Sequence, residues 1–374
     1  MPKLRFPGFT EDWEQCKADY IFESVTDKGY PELPVLSASQ ELGMVYRDQN
    51  GIDIQHDKKN EASYKRVLPG QFVIHLRSFQ GGFAYSEVDG ITSPAYTVMS
   101  FKNSNEQYGL FWKHIFKSET FIKRLETITY GIRDGRSISF SDFKSLILRY
   151  PSFSEQKLIG DSLAVVEKGI TLHQRKLEHL NLKKKALLQK LFPKNGERYP
   201  ELRFPGFTDA WEQRKLEDIC SYQSSSLTIN DIDENGLYDL YDANSLIGKT
   251  NKGCVERDYI TIIKDGAGVG RTRVLPKNSM FLGTMGALIP KDSYLGFLYQ
   301  LITRANLGKI CTGSTIPHIY FKDYGKLKFY IPSIIEQEVI GKFFNNIDYL
   351  VTLHQRKLEH LQLQKKALLQ QMFV

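Results

Sequence analysis

Residues 171–192 read TLHQRKLEHLNLKKKALLQKLF, and residues 352–373 read TLHQRKLEHLQLQKKALLQQMF, with 18 of 22 positions identical at a shift of 181 residues. Around each copy the apolar residues fall at alternating spacings of four and three, the seam of a coiled coil. The first seam runs Ile159, Leu163, Val166, Ile170, His173, Leu177, Leu180, Lys184, Leu187, Leu191. The second runs Ile340, Phe344, Ile347, Val351, His354, Leu358, Leu361, Lys365, Leu368, Met372, so the His and Lys interruptions recur at the same two places. An isolated helix with a broken seam is marginal in water. The two are therefore expected to pack on each other as an antiparallel pair, with globular domains at opposite ends related by an approximate twofold axis. A helix of about 35 residues is about 50 Å long, the rise of about 15 base pairs.

Working outward, Pro151-Ser152 and Glu155-Gln156 recur at the same shift as Pro332-Ser333 and Glu336-Gln337. Ser152 with Glu155 three residues on predicts a capping box. LRFPGFTEDWEQCK at 4–17 returns as LRFPGFTDAWEQRK at 202–215, with 11 of 14 positions identical. The stretches between barely resemble one another. The chain divides into a lead-in (1–17), a first divergent domain (18–150), a spacer helix (151–195), a second lead-in (196–215), a second divergent domain (216–331) and a second spacer helix (332–374). Matching parts should meet one kind of surface twice; divergent parts should meet different ones.

The 374 residues provide ample core for such a plan, and 41% hydrophobic with 25% charged residues is ordinary globular composition. No apolar run is long enough to cross a membrane, and the start MPKLRFP predicts no secretory signal, which makes the cytoplasm the expected compartment. The net charge of +7 suits a polyanion partner without proving one. Cys16, Cys220, Cys254 and Cys311 are far apart and are expected to be small buried thiols, with neither a disulfide framework nor a zinc site. His173 and His179, like His354 and His360, are six apart and fall on different helix faces, so no metal is expected. Lys183, Lys184, Lys185, Arg175 and Lys176 read either as a solvated face or as nucleic-acid backbone contacts.

The divergent domains predict a mixed α+β class, with strands at QFVIHL (71–76), YITII (259–263) and KLKFYI (326–331), and helices over 111–127 and 295–305. DGAGVGR at 265–271 fits neither the dinucleotide fingerprint nor the Walker loop; it is a turn whose backbone comes close either to a neighbouring strand or to a phosphate. Three loops carry polar side chains among glycines: Arg77, Ser78 and Gln80; Arg133 and Arg136; Ser314 and His318. Arg suits bidentate contact with guanine and Gln with adenine. With Lys264, Arg271 and Arg273, these are the candidate DNA-binding residues. No methyltransferase, helicase or nucleophile-elbow motif appears, and no constellation predicts catalysis.

Several strings together resemble the DNA-specificity subunit of type I restriction–modification systems: LRFPGF followed by Trp-Glu-Gln, the loops at 131–137 and 312–318, Pro-Ser-x-x-Glu-Gln, a charged helix ending in KKALLQ, and TSPAY at 92–96. The resemblance covers essentially the whole chain. It implies a non-catalytic subunit with two tandem target-recognition domains, each reading one half of a bipartite, asymmetric target in double-stranded DNA. The helices would set the gap and dock two modification (methyltransferase) subunits, joined by two restriction (translocase and nuclease) subunits. S-adenosylmethionine, ATP and magnesium would belong to those partners. The rivals are a standalone enzyme and a coiled-coil scaffold without DNA specificity.

Overall fold

The computed structural model describes residues 2–39, 42–47, 58–75, 82–126, 138–194, 196–313 and 317–373. They form two compact units: Met1–His173 with Lys357–Val374, and Gln174–Arg356. Each long helix contributes to both units. The first spans Phe153–Lys190 and the second Ile334–Met372. Among the described residues no helix is long and apolar enough to cross a membrane.

Over residues 171–187 and 351–368 only the seam positions escape full exposure, His173, Lys184, His354 and Lys365 included. At the outer ends Ile159, Leu163, Ile340, Phe344 and Ile347 are buried, and Val166, Ile170, Leu177, Leu180, Leu187, Val351, Leu358, Leu361 and Leu368 are half-buried. In the first unit Lys365 pairs with Glu167 at 2.7 Å, while Leu361 lies against Gly169. Numbers rise along one helix as they fall along the other, so the helices pack antiparallel there. In the second unit Leu187, Leu188, Leu191 and Phe192 share a core with Ile340, Phe344, Ile347 and Val351. Lys184 pairs with Asp348 and Phe192, just past the first helix, lies near Phe344, so numbers again rise along one helix as they fall along the other.

The lead-ins fasten these helices. Arg5 holds Glu155 through two bonds of 2.9 and 2.6 Å, and Arg203 holds Glu336 through two of 2.8 and 2.7 Å. The expected capping box is thereby corrected: both glutamates are buried, and a buried carboxylate goes to the stronger guanidinium partner rather than to its own helix start. The backbone N–H of Leu4 donates to Gln371 O, and that of Leu202 to Lys190 O. These carbonyls belong to last helical turns, which have no partner inside the helix.

Each divergent domain is closed by an antiparallel two-stranded ladder, Glu14–Lys17 with Ile147–Tyr150 in the first and Glu212–Lys215 with Lys328–Ile331 in the second. The Trp-Glu-Gln strings supply one strand of each. Beyond them, dissimilar sequences build the same four-stranded antiparallel sheet. Its order is Phe22–Val25, Thr97–Phe101, Phe72–Ile74, Phe83–Tyr85 in the first domain, and Cys220–Ser224, Met285–Pro290, Tyr259–Ile263, Thr272–Leu275 in the second. A further sheet in the second domain orders Leu246–Thr250, Tyr238–Tyr241, Ser279–Phe281. Phe22, Phe72, Trp112, Phe116 and Phe143 centre one core; Trp211, Ile260, Ile262, Leu288 and Phe297 centre the other.

The helix expected over 111–127 is two helices, Gly109–Ile115 and Glu119–Glu126. Ser118 breaks it by donating to Ile115 O and accepting from the Phe121 N–H, as a residue at a helix start does. Leu295–Ala305 is one helix. The helices Gly109–Ile115 and Leu295–Ala305 each dock on a long helix in the same way. Gln156 Oε1 accepts the Tyr108 N–H and Gln337 Oε1 accepts the Tyr294 N–H. Gly160 and Gly341 make room for this, since an added Cβ would lie 2.8 Å from Phe111 N and 2.7 Å from Phe297 N respectively. The cysteines are free thiols, but of the four only Cys220 is buried as expected; Cys16 and Cys254 are half-buried, and Cys311, beyond the short turn Leu307–Ile310, is exposed.

Candidate nucleic-acid interface

In the second domain the hairpin Tyr259–Ile263 and Thr272–Leu275 is connected by the glycine-rich turn. Gly266, Gly268 and Gly270 all have positive φ, which glycine adopts without steric cost. Gly270 has no space for a Cβ because the Gly308 backbone fills it. Of the two readings of this turn, close approach to neighbouring backbone is the one the structure shows at Gly270.

The turn also meets a second loop singled out in the sequence. Gly266 N–H donates to Pro317 O at 2.9 Å, and Ile319 N–H donates to Lys264 O at 2.9 Å. Thr312 and His318 exchange two backbone bonds of 2.9 and 2.8 Å across the base of their loop. Lys264 and His318, 54 residues apart in the chain, thus stand beside each other. Lys264 and Arg271 are the two ends of one connection. Arg271 donates to Ala243 O at 2.9 Å and Asn244 Oδ1 at 2.6 Å, a clamp on the turn after Tyr238–Tyr241. Arg273 stacks over the Tyr241 ring at 5.2 Å, and its buried Nη1 has no hydrogen-bond partner.

Tyr241, Asn244, Tyr320 and Lys322 are further members that the sequence reading missed. Tyr320 is exposed, with the His318 ring at 5.0 Å and Lys322 Nζ at 5.2 Å from its ring. Their signal was weak, because each acquires meaning only through contacts across the fold. The cluster is mainly cationic, with Asp242 and Asp265 as the acids within it. Asp242 is already taken: against the cost of its burial, the Ser245 and Asn244 N–H groups hold its carboxyl below the usual carboxylate range. Such a surface, with stacked guanidinium and aromatic side chains, suits a polyanion.

Arg77, Ser78, Gln80, Arg133, Arg136 and Ser314 lie outside the described residues. Residues 76–81 connect Phe72–Ile74 to Phe83–Tyr85, which hold the same places in their sheet as the two strands joined by the glycine-rich turn. The sequence thus singled out the same connection in both domains. On the helices, Lys183, Lys185, Arg175 and Lys176 are exposed, whereas Lys184 turns into the seam. Among the described residues no group of three or more His, Cys, Asp or Glu side chains could hold a metal ion.

Two tandem domains of one topology, closed on antiparallel helices by repeated contacts, define a class. Residues 12–182 and 208–363 match the family described as the type I restriction modification DNA specificity domain, and the chain belongs to it. The MjaVIII specificity subunit, a type I restriction enzyme subunit of Methanocaldococcus jannaschii, is 22% identical over 259 residues, 61% of either chain. The putative MjaX type I specificity subunit of the same organism is 24% identical over 292 residues, 72% of this chain and 67% of its own length. The chain thus spans about three fifths of the first of these relatives. The crystal structure of the S subunit of a type I restriction–modification system from M. genitalium has the same fold, with a TM-score of 0.70 and 17% identity. The match covers 100% of this chain and 99% of that one.

Proposed function

We propose that this protein is the non-catalytic DNA-specificity subunit of a type I restriction–modification complex, acting in the cytoplasm. Each recognition domain reads one half of a split, asymmetric duplex target. The helix pair sets the unread gap and docks two modification subunits, which two restriction subunits join. S-adenosylmethionine, ATP and magnesium act on those partners, and the target adenine leaves the duplex to reach the partner's active site. The observation that carries this reading is the contrast within one chain: repeated fastening contacts beside sequence-divergent domains of one topology. The fastened parts meet like partners twice, while the loops meet two different half-sites.

Affinity then comes mainly from Lys and Arg contacts to phosphates and falls steeply with salt; specificity comes from base edges. The test is selection of duplexes from a random pool by the full chain with its modification partner. Enrichment of two unlike half-sites around a fixed gap is the expected result. No affinity for any duplex at low salt would overturn the reading and favour the scaffold. Methyl transfer by the purified chain alone would overturn its non-catalytic part.

A further inference from the structure

One acidic residue in each half stands where three elements meet. Glu167 lies on the first long helix and Asp348 on the second, 181 positions on in the repeat. In the first unit the seam lysine of the opposite helix, Lys365, reaches Glu167 Oε1 at 2.7 Å. The recognition-domain helix sends Lys113 to Oε2 at 3.3 Å and places His114 Nδ1 3.9 Å from Oε1. In the second unit Lys184 reaches Asp348 Oδ1 at 2.5 Å, and Gln300, on the recognition-domain helix, donates to Oδ2 at 3.0 Å. His114 and Gln300 each come six residues after the tyrosine whose N–H a long-helix glutamine accepts.

We propose that Glu167 and Asp348 are positioning residues: each carboxylate ties its recognition domain to both long helices at once and so fixes where that reader stands on the helical pair. This rests on the reading of each domain as a half-site reader. A lysine in an apolar seam weakens the seam, because well-packed apolar residues usually stabilise as much or more. The chain nevertheless carries the lysine at both equivalent places. A seam-register role alone needs only the lysine and the acid. The second oxygen of each carboxylate is used by the recognition domain, and the two halves do this with different chemistry, the Lys113 ammonium in one and the Gln300 amide in the other. What the two halves share is the junction, not the partner type.

The experiment uses the full chain with its modification partner and duplexes that keep both half-sites while the gap is one base pair shorter, unchanged or one longer. Wild type is expected to modify one gap length. In the folded Lys184→Leu/Asp348→Leu pair, discrimination between gap lengths should fall about tenfold with the half-site sequences unchanged. Asp348→Glu should retain discrimination. Gln300→Met removes only the recognition-domain arm; it should relax the gap in the same direction, and it decides the matter if the double variant does not fold. Undiminished discrimination in folded Gln300→Met or in the folded double variant overturns the proposal. A wild type without gap preference would instead overturn the half-site reading on which it rests.

Discussion

In the second unit Phe343 packs on Phe204 at 5.5 Å, beside the lead-in. In the first, Ser162 occupies the matching repeat position, and a groove of about 540 Å³ lies open between Leu4, Phe6, Pro7, Val165, Val166 and Leu368. Elsewhere along the lead-ins and long helices the halves agree closely: Arg5 with Glu155 against Arg203 with Glu336, Leu4 with Gln371 against Leu202 with Lys190, Gly160 against Gly341. The comparison separates what fastening requires from what is free to vary. The bonds to the buried Glu155 and Glu336 carboxylates are copied, because a missing partner leaves a desolvated charge at high cost. Apolar filling and loop side chains are not copied.

The largest expected effect concerns the copied bonds. Arg203→Ala strands the buried Glu336 carboxylate and should destabilise the second unit by about 3–5 kcal/mol, the range for leaving a buried charge unpaired. Arg5→Ala should do the same to Glu155 in the first unit. Thermal unfolding of both variants checks the equivalence, and a loss in only one half would break it. Replacing both members of either pair by leucine should cost markedly less, since no charge is left buried.

A smaller effect separates the halves by pH. Burial pushes the His114 imidazole down to about 3, so it is neutral in the folded state. Burial alone would raise the Glu167 carboxyl, but its cationic neighbours hold it down at about 2. With His114 neutral above about pH 3, Lys113 and Lys365 supply that pull at neutral pH. The His114 contribution is complete above its ordinary value of 6.5 and is lost as pH falls toward 3. That of Glu167 is complete above 4.5 and is lost as pH falls toward 2. The first unit should therefore lose about 1.4 kcal/mol per pH unit below 6.5 from His114 alone. Gln300 in the second unit does not titrate. Unfolding followed from pH 7 to 4 should show the first unit failing earlier, and His114→Gln should flatten its slope. Equal slopes in both units would contradict this.

The smallest effect fills the groove. Ser162→Phe should copy the second unit's packing and stabilise the first by about 1 kcal/mol or less, within the usual range for cavity filling. Measured destabilisation would show that the lead-in of the first unit cannot accept the ring.

The helices and their seam were legible because a 3.6-residue period and an internal repeat are local properties of a chain. The Lys interruptions were visible too, yet their meaning required Asp348 and Glu167, which face the seam from the opposite helix. The shared sheet was hidden because strand alternation accepts many residue types. FVI at Phe72–Ile74 and YITII at Tyr259–Ile263 look unrelated, but they occupy the same place in the same sheet order. Arg271 was readable as a polar loop residue, whereas its clamp on Asn244 was not, since that contact spans 27 positions. The capping box failed for a similar reason: Arg5, 150 positions away from Glu155, outcompetes the local backbone.

If like fastenings carry unlike readers, exchanging one reader should alter one half-site alone. Residues 18–150 would be replaced by the corresponding domain of a relative, leaving both lead-ins and both long helices untouched. The modified bases would then be sequenced after assembly with the modification partner. A new sequence is expected in one half of the target, the other half and the gap being unchanged. A change in both halves, or in the gap alone, would contradict it.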